Sequence, residues 1–63
     1  MGVYSYGELE NMGVHRLFAI REVHKKDLNM YLSSEPYENR ERDISECQQN
    51  IKILDEVIEH KSK

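Results

Sequence analysis

Four side chains in this sequence are of the types that bind metals or act as nucleophiles: one cysteine, Cys47, and three histidines, His15, His24 and His60. A zinc site needs several ligands at short, fixed spacings, and no two of these residues are three or four positions apart. His15 and His24 are nine residues apart, which puts them on opposite faces of a helix at about 100° per residue. We therefore expect His15 and His24 to be boundary residues of the first helix, at the edge of its buried face, and His60 to lie near a helix C-terminus. We expect no metal or other cofactor.

Cys47 could form a nucleophile with a distant histidine as its base. It lies, however, between Ile44 and Ile51 in an apolar repeat, and burial among apolar side chains raises the pKa of a thiol and makes it unreactive. We expect Cys47 to be a buried core residue. The sequence also has no Ser, His and Asp arrangement and no glycine-rich phosphate loop, so it predicts a protein that is not an enzyme.

Basic residues cluster in the first half of the chain, where a phosphate-contacting face for nucleic acid is the functional alternative. Arg21 and Lys25 share a helix face, but Lys26 lies about 100° away from Lys25. The formal net charge of the chain is −3. We expect Arg21, Lys25 and Lys26 to form a solvated face that pairs with acidic residues, and we keep a small nucleic-acid-associated regulator as the alternative function.

The composition predicts one small domain over residues 1–63, with a mass of 7.5 kDa. A single cysteine excludes an internal disulfide, which favours a reducing cytoplasm. The mean hydropathy of −0.81 argues against a membrane span, and the first thirteen residues lack the basic residues of a signal peptide. Because so small a core needs support, oligomerisation or very regular helix packing is expected.

Apolar periodicity predicts an all-α fold with two main helices and a short N-terminal helix. Ser5 and Glu8 have the spacing of a capping box and predict a helix start. We expect Gly13 to end that short helix near residues 11–12 as a C-cap. The main helix should then span residues 14–32, and its apolar stripe is wider than one neighbouring helix can cover.

Pro36 predicts the start of the second helix, because proline suits the first helical position. Glu35 and Glu38 would then complement the positive end of the helix dipole, and the basic residues His60, Lys61 and Lys63 its negative end. The apolar residues follow a heptad, with Tyr37, Ile44, Ile51 and Ile58 at one position and Cys47 and Leu54 at the other. Two further apolar residues, Ile53 and Val57, lie off this seam.

A four-residue link between the main helices predicts an antiparallel helical hairpin. Residues 14–26 have a net charge of +3 and residues 35–59 a net charge of −5, which favours this pairing. The surplus apolar residues predict a surface for protein contacts, and we expect two hairpins to form a homodimer with a four-helix arrangement. The candidate interaction surface consists of Val14, Leu17, Phe18, Met30 and Leu32.

The stretch from Tyr6 through the second helix includes GELENMGVHRLFAIREVHKKDLNMYLSSEPYENRERDISECQQNIKILDEVIEH. It resembles a very small early protein of lambdoid bacteriophages, encoded between the recombination exonuclease and excisionase genes. The resemblance covers nearly the whole chain and carries no residue-level motif. It implies an accessory protein made early in infection that influences prophage induction and the choice between lysis and lysogeny.

Together these observations predict a non-enzymatic phage regulatory protein that acts by protein–protein interaction. Its expected partners are a second copy of itself and a host or phage regulatory protein that the sequence does not identify.

Overall fold

A computed structural model describes residues 2–63 of the chain, which form three helices and, over that range, no strand. Helix α1 spans Tyr6–Glu10, α2 spans Val14–Ser33 and α3 spans Arg40–Lys61. The prediction of an all-α fold with two long helices and a short N-terminal one is confirmed. In the described part of the chain, no helix is both long and apolar enough to cross a membrane.

Helix α1 begins at the predicted capping box. The backbone N–H of Glu8 donates to Ser5 Oγ, and the backbone N–H of Ser5 donates to Glu8 Oε2. The predicted role of Gly13 is wrong, because Asn11 is the C-cap of α1 and Gly13 is the N-cap of α2. Gly13 has φ −68° and ψ 153°, an extended conformation that turns the chain between the two helices without a left-handed residue.

Helix α3 begins four residues later than predicted, at Arg40 rather than Pro36. The local preference of proline for a helix start is overridden because residues 34–39 carry the chain from α2 to α3. The guanidinium of Arg40 then reaches back to α2, where its Nε donates to the Tyr31 carbonyl oxygen (3.0 Å) and its Nη2 to that of Leu32 (3.2 Å). The Tyr31 carbonyl oxygen also accepts from the backbone N–H (3.3 Å) and the Oγ (2.7 Å) of Ser34, so Arg40 adds to this cap and provides a donor for Leu32.

The charges at the ends of α3 follow from this later start. Glu41 and Asp43 occupy the first turn, in place of the predicted Glu35 and Glu38, which lie in the connection. His60 and Lys61 occupy the last turn, as predicted, whereas Lys63 lies beyond the helix. Both ends of α3 therefore carry charges that complement the helix dipole.

Helices α2 and α3 run antiparallel and pack along their length, with α1 against α3. Residues near the end of α2 contact the start of α3, as Arg40 and Tyr31 do, while Arg21 contacts Asp55 farther along both helices. The buried apolar cluster combines all three helices and consists of Leu9, Leu17, Leu54, Val57 and Ile58.

The buried face of α3 differs from the predicted heptad. Val57, expected off the seam, is completely buried, whereas Ile44 and Ile51 are only half-buried. The fully buried residues of α3 are Cys47, Asn50, Leu54 and Val57. The face is rotated because α3 packs against α1 as well as α2, so a second neighbour covers residues that one antiparallel helix would leave open.

Candidate interaction surface

The two sides of the α2–α3 pair differ in what covers them. On one side, which we call the covered side, Tyr4 packs against the core together with Ile20 of α2 and Ile53 of α3. On the other side, Arg21 of α2 reaches across to Asp55 of α3, with 2.7 Å between Nη1 and Oδ1. Since neighbouring residues on a helix point about 100° apart, Ile20 and Arg21 mark these two different sides.

The second side carries a row of apolar side chains from both helices that stay partly accessible to solvent. Phe18 is 39% exposed and Leu32 is 53% exposed. Four more apolar residues near them are half-buried and are not among the side chains packed against the core cluster. We call this surface the open side, and its residues are Val14, Phe18, Leu28, Leu32, Ile44 and Ile51.

The predicted interaction surface does not lie on one face. Val14 and Leu32, eighteen residues apart, share one line along α2, and Phe18 lies about 40° from it. Met30 points about 120° away from Phe18 and is 57% exposed. Leu17 is completely buried in the core cluster, so its assignment to an exposed surface is wrong. It faces α3, whereas its sequence neighbour Phe18 does not.

The predicted basic patch is divided in the same way. Arg21 is engaged with Asp55, and its guanidinium carbon also lies 5.0 Å from the centre of the Phe18 ring. Lys25 and Lys26 are exposed, but they point about 100° apart. Of these three residues, only Arg21 has a guanidinium, the group that can bind a phosphate through two parallel hydrogen bonds. This group is already bound to the Asp55 carboxylate and lies against the Phe18 ring.

A polar cluster on the covered side attaches the N-terminal segment to the helices. His24 is only 6% exposed, so its expected boundary position is wrong, and its Nε2 lies 3.0 Å from Tyr4 Oη. Asn50 is completely buried. Its Oδ1 accepts from the Tyr4 backbone N–H at 2.9 Å, and its Nδ2 donates to the Gly2 carbonyl oxygen at 3.1 Å.

Sequence reasoning missed Asn50, although a signal for it exists. Asn50 lies three residues after Cys47 and four before Leu54, which is the spacing of a buried helix seam. A single polar residue on such a seam typically fixes how the helices pair. Here the Asn50 amide binds the backbone of Gly2 and of Tyr4, one on each side of Val3. Asn50 therefore fixes the position of the N-terminal segment through main-chain groups, and the side chain of Val3 takes no part in these hydrogen bonds.

Cys47 is buried, as predicted, and its thiol is engaged with backbone. Its Sγ donates to the His24 carbonyl oxygen at 2.9 Å. Burial raises the pKa of the Cys47 thiol, and the nearby Asp27 raises it further. The contact is to the main chain of His24 and not to its imidazole, so the two residues do not form a nucleophile and base.

The other histidines are far from Cys47 in the structure. His15 is exposed on α2, and His60 lies at the end of α3 with Nε2 3.9 Å from Glu10 Oε1. Within residues 2–63, no three side chains of metal-binding type come together. The same range encloses no pocket.

The protein thus belongs structurally to the class of small three-helix proteins with one apolar side left open. Comparison of the chain with protein-family models, with curated proteins and with solved structures gives no match.

Proposed function

We propose that this protein is a non-enzymatic interaction protein whose working unit is a homodimer formed through the open side. The observation that carries this proposal is the group of partly accessible apolar residues on the open side, Val14, Phe18, Leu28 and Leu32 on α2 with Ile44 and Ile51 on α3, which surround the Arg21–Asp55 ion pair. Apolar side chains grouped on the accessible side of a helix pair are typical of a contact site. In the dimer, two antiparallel helix pairs form a four-helix arrangement.

The size of the open side is sufficient for such a dimer. Helix α2 has 20 residues, so it is about 30 Å long at 1.5 Å per residue. Two helices packed at the usual distance present a face about 20 Å wide, which gives about 600 Å² per copy. Two such faces bury about 1,200 Å², the lower limit for a specific interface.

Charge favours a second copy as the occupant of this surface. Helix α2, residues 14–33, has a net charge of +2, and helix α3, residues 40–61, has a net charge of −2. When α2 of one copy lies over α3 of the other, each basic helix faces an acidic one. Because the dimer is twofold symmetric, this contact between α2 and α3 occurs twice, and the charges attract in both places.

The small core also favours association. Within residues 2–63, five apolar residues form the buried cluster, and a domain of this size without a disulfide or metal has little net stability. Burying Phe18, Leu32 and their neighbours against a second copy contributes about 1.5–3 kcal/mol for each side chain that becomes fully buried.

We further propose that the dimer acts in a bacteriophage, by binding a host or phage regulatory protein, and influences prophage induction and the choice between lysis and lysogeny. The resemblance to the lambdoid early protein supports this role. The nucleic-acid alternative is disfavoured by the Arg21–Asp55 ion pair and by the net charge of −3.

Sedimentation equilibrium over a hundredfold concentration range tests the dimer. We expect a mass twice the chain mass of 7.5 kDa and a melting temperature that rises with concentration. Leu32→Asp should give a monomer. Val23→Asp is the matched control, because Val23 is equally exposed (56%) but points about 140° from Phe18, and it should remain a dimer.

Three results would overturn the proposal. The first is a mass of 7.5 kDa throughout with a constant melting temperature, and the second is equal disruption by Val23→Asp and Leu32→Asp. The third is a salt-sensitive DNA complex that Lys25→Glu abolishes, which would establish the nucleic-acid regulator instead. In a lambdoid lysogen, expression of the wild-type chain or Val23→Asp should change the induction frequency, and Leu32→Asp should not.

A further inference from the structure

The junction between α1 and α2 is a locally unfavourable place for a helix to begin. Gly13 provides no side-chain cap, and the first turn of α2 contains no acidic residue but does contain His15 and Arg16. Helix N-termini favour negative charge and a capping side chain. The start of α1, in contrast, has a complete capping box at Ser5.

Contacts elsewhere hold the junction bent. We call residues 2–10 the N-terminal arm. Leu9 of the arm is completely buried in the core cluster, and Asn50 and His24 bind the arm at Tyr4. Helix α1 packs mainly on α3, although it is linked covalently to α2 through residues 11–13 only.

Straightening this junction requires a large rotation at Gly13. Its φ of −68° is already helical, but its ψ must turn from 153° to the helical value near −42°, a rotation of about 165°. Asn11 already has helical angles, with φ −80° and ψ −6°. Straightening would join α1 and α2 into one helix over residues 6–33, in which the first N–H groups of α2 have intrahelical partners.

We propose that two copies of this protein exchange their N-terminal arms. In the exchanged dimer, residues 11–13 are helical, and the arm of each copy packs on α3 of the other. Leu9 then enters the other copy's core, and Tyr4 binds the other copy's Asn50 and His24. Because each arm makes the same contacts as before, the equilibrium depends on the junction and on protein concentration.

This inference goes beyond the pairing through the open side, because it uses Leu9, Tyr4 and Asn50 on the covered side. A Leu32→Asp variant that no longer pairs through the open side should still exchange arms. Failure of one association therefore does not imply failure of the other.

Two substitutions at Gly13 have opposite expected effects. Gly13→Ala fits the bent chain, since an added Cβ would meet no atom within 4 Å, and alanine favours the straight helix over glycine. With two junctions per dimer, we expect the equilibrium constant for exchange to rise about 25-fold. Gly13→Pro keeps the observed φ but breaks a continuous helix, so it should abolish exchange.

The measurement is isotope-filtered NMR on full-length protein refolded from an equal mixture of ¹³C-labelled and unlabelled copies. Exchange gives intermolecular NOEs between the methyl groups of Leu9 and those of Leu54 and Val57, which a dimer formed only through the open side does not give. We expect these NOEs to be strong for Gly13→Ala, weaker for the wild type and absent for Gly13→Pro. Their absence from Gly13→Ala at millimolar concentration, or equal intensity in the Ala and Pro variants, would overturn arm exchange.

Discussion

Tyr4 Oη lies 3.0 Å from His24 Nε2, and through this hydrogen bond the N-terminal segment is attached to the middle of α2. The two rings meet edge to face, with centroids 5.5 Å apart. The Tyr4 ring therefore helps to shield His24 from solvent, and Nε2 of His24 forms the hydrogen bond that attaches Tyr4 to α2. A histidine and a tyrosine twenty residues apart in sequence thus define the covered side of the protein.

Removal of the Tyr4 hydroxyl should weaken this attachment. Tyr4→Phe keeps the ring but leaves Nε2 of the buried His24 without its partner, which should lower the free energy of unfolding by about 1–2 kcal/mol. Urea denaturation followed by circular dichroism measures the change. Tyr6→Phe is the control, because Tyr6 is exposed, and it should change stability by less than about 0.5 kcal/mol. Equal effects of the two substitutions would contradict a structural role for the Tyr4 hydroxyl.

Arg40 should be the most important basic residue for the stability of the helix pair. Its guanidinium binds two carbonyl groups at the end of α2, a helix whose last turn contains no basic residue of its own. Arg40→Ala should cost about 1–2 kcal/mol, measured by the same denaturation experiment. The exposed Arg42 is the matched control, and an Arg42→Ala variant as unstable as Arg40→Ala would argue against this capping contact.

Cys47 should react with thiol reagents only when the protein opens. Burial and Asp27 raise the pKa of its thiol, so the reactive thiolate is rare at neutral pH. We expect labelling by a disulfide reagent at pH 8 to be far slower than in urea-unfolded protein. Tyr4→Phe should accelerate the reaction about tenfold for each 1.4 kcal/mol of stability that it loses, because the reaction follows the population of the open form. Native labelling as fast as that of the unfolded chain would show that Cys47 is accessible.

Acid should loosen the start of α1. Hydrogen bonds from the backbone N–H and side chain of Ser5 lower the pKa of Glu8 below its ordinary value of 4.5. The stabilisation by the ionised carboxylate is therefore fully present above pH 4.5 and is lost as the pH falls through the lowered pKa. The protection of the Leu9 amide, measured as its exchange rate relative to the intrinsic rate at each pH, should therefore fall over this range. In Glu8→Ala the fall should be smaller, and an unchanged pH profile of this protection would exclude the capping box as its cause.

Local sequence determined the features that depend on neighbours in the chain. Ser5 and Glu8 form a capping box because the two side chains are one helical turn apart, and this geometry needs no other element. The end of α2 near residue 33 also follows from short-range preferences. The burial of Cys47 was predictable because apolar residues repeat on both sides of it.

Tertiary structure alone decided which helix faces are covered. The positions of Val57 and Ile51 in the helical repeat do not reveal that α1 and Tyr4 cover one side of the α2–α3 pair and leave the other open. Asn50 can be buried because backbone groups of Tyr4 and Gly2, 46 and 48 residues away in sequence, form hydrogen bonds with its amide. Helix α3 begins at Arg40 and not at Pro36, and at this position the Arg40 guanidinium contacts carbonyl groups at the end of α2. A sequence pattern records the spacing within one helix, whereas burial depends on which other segments pack against it.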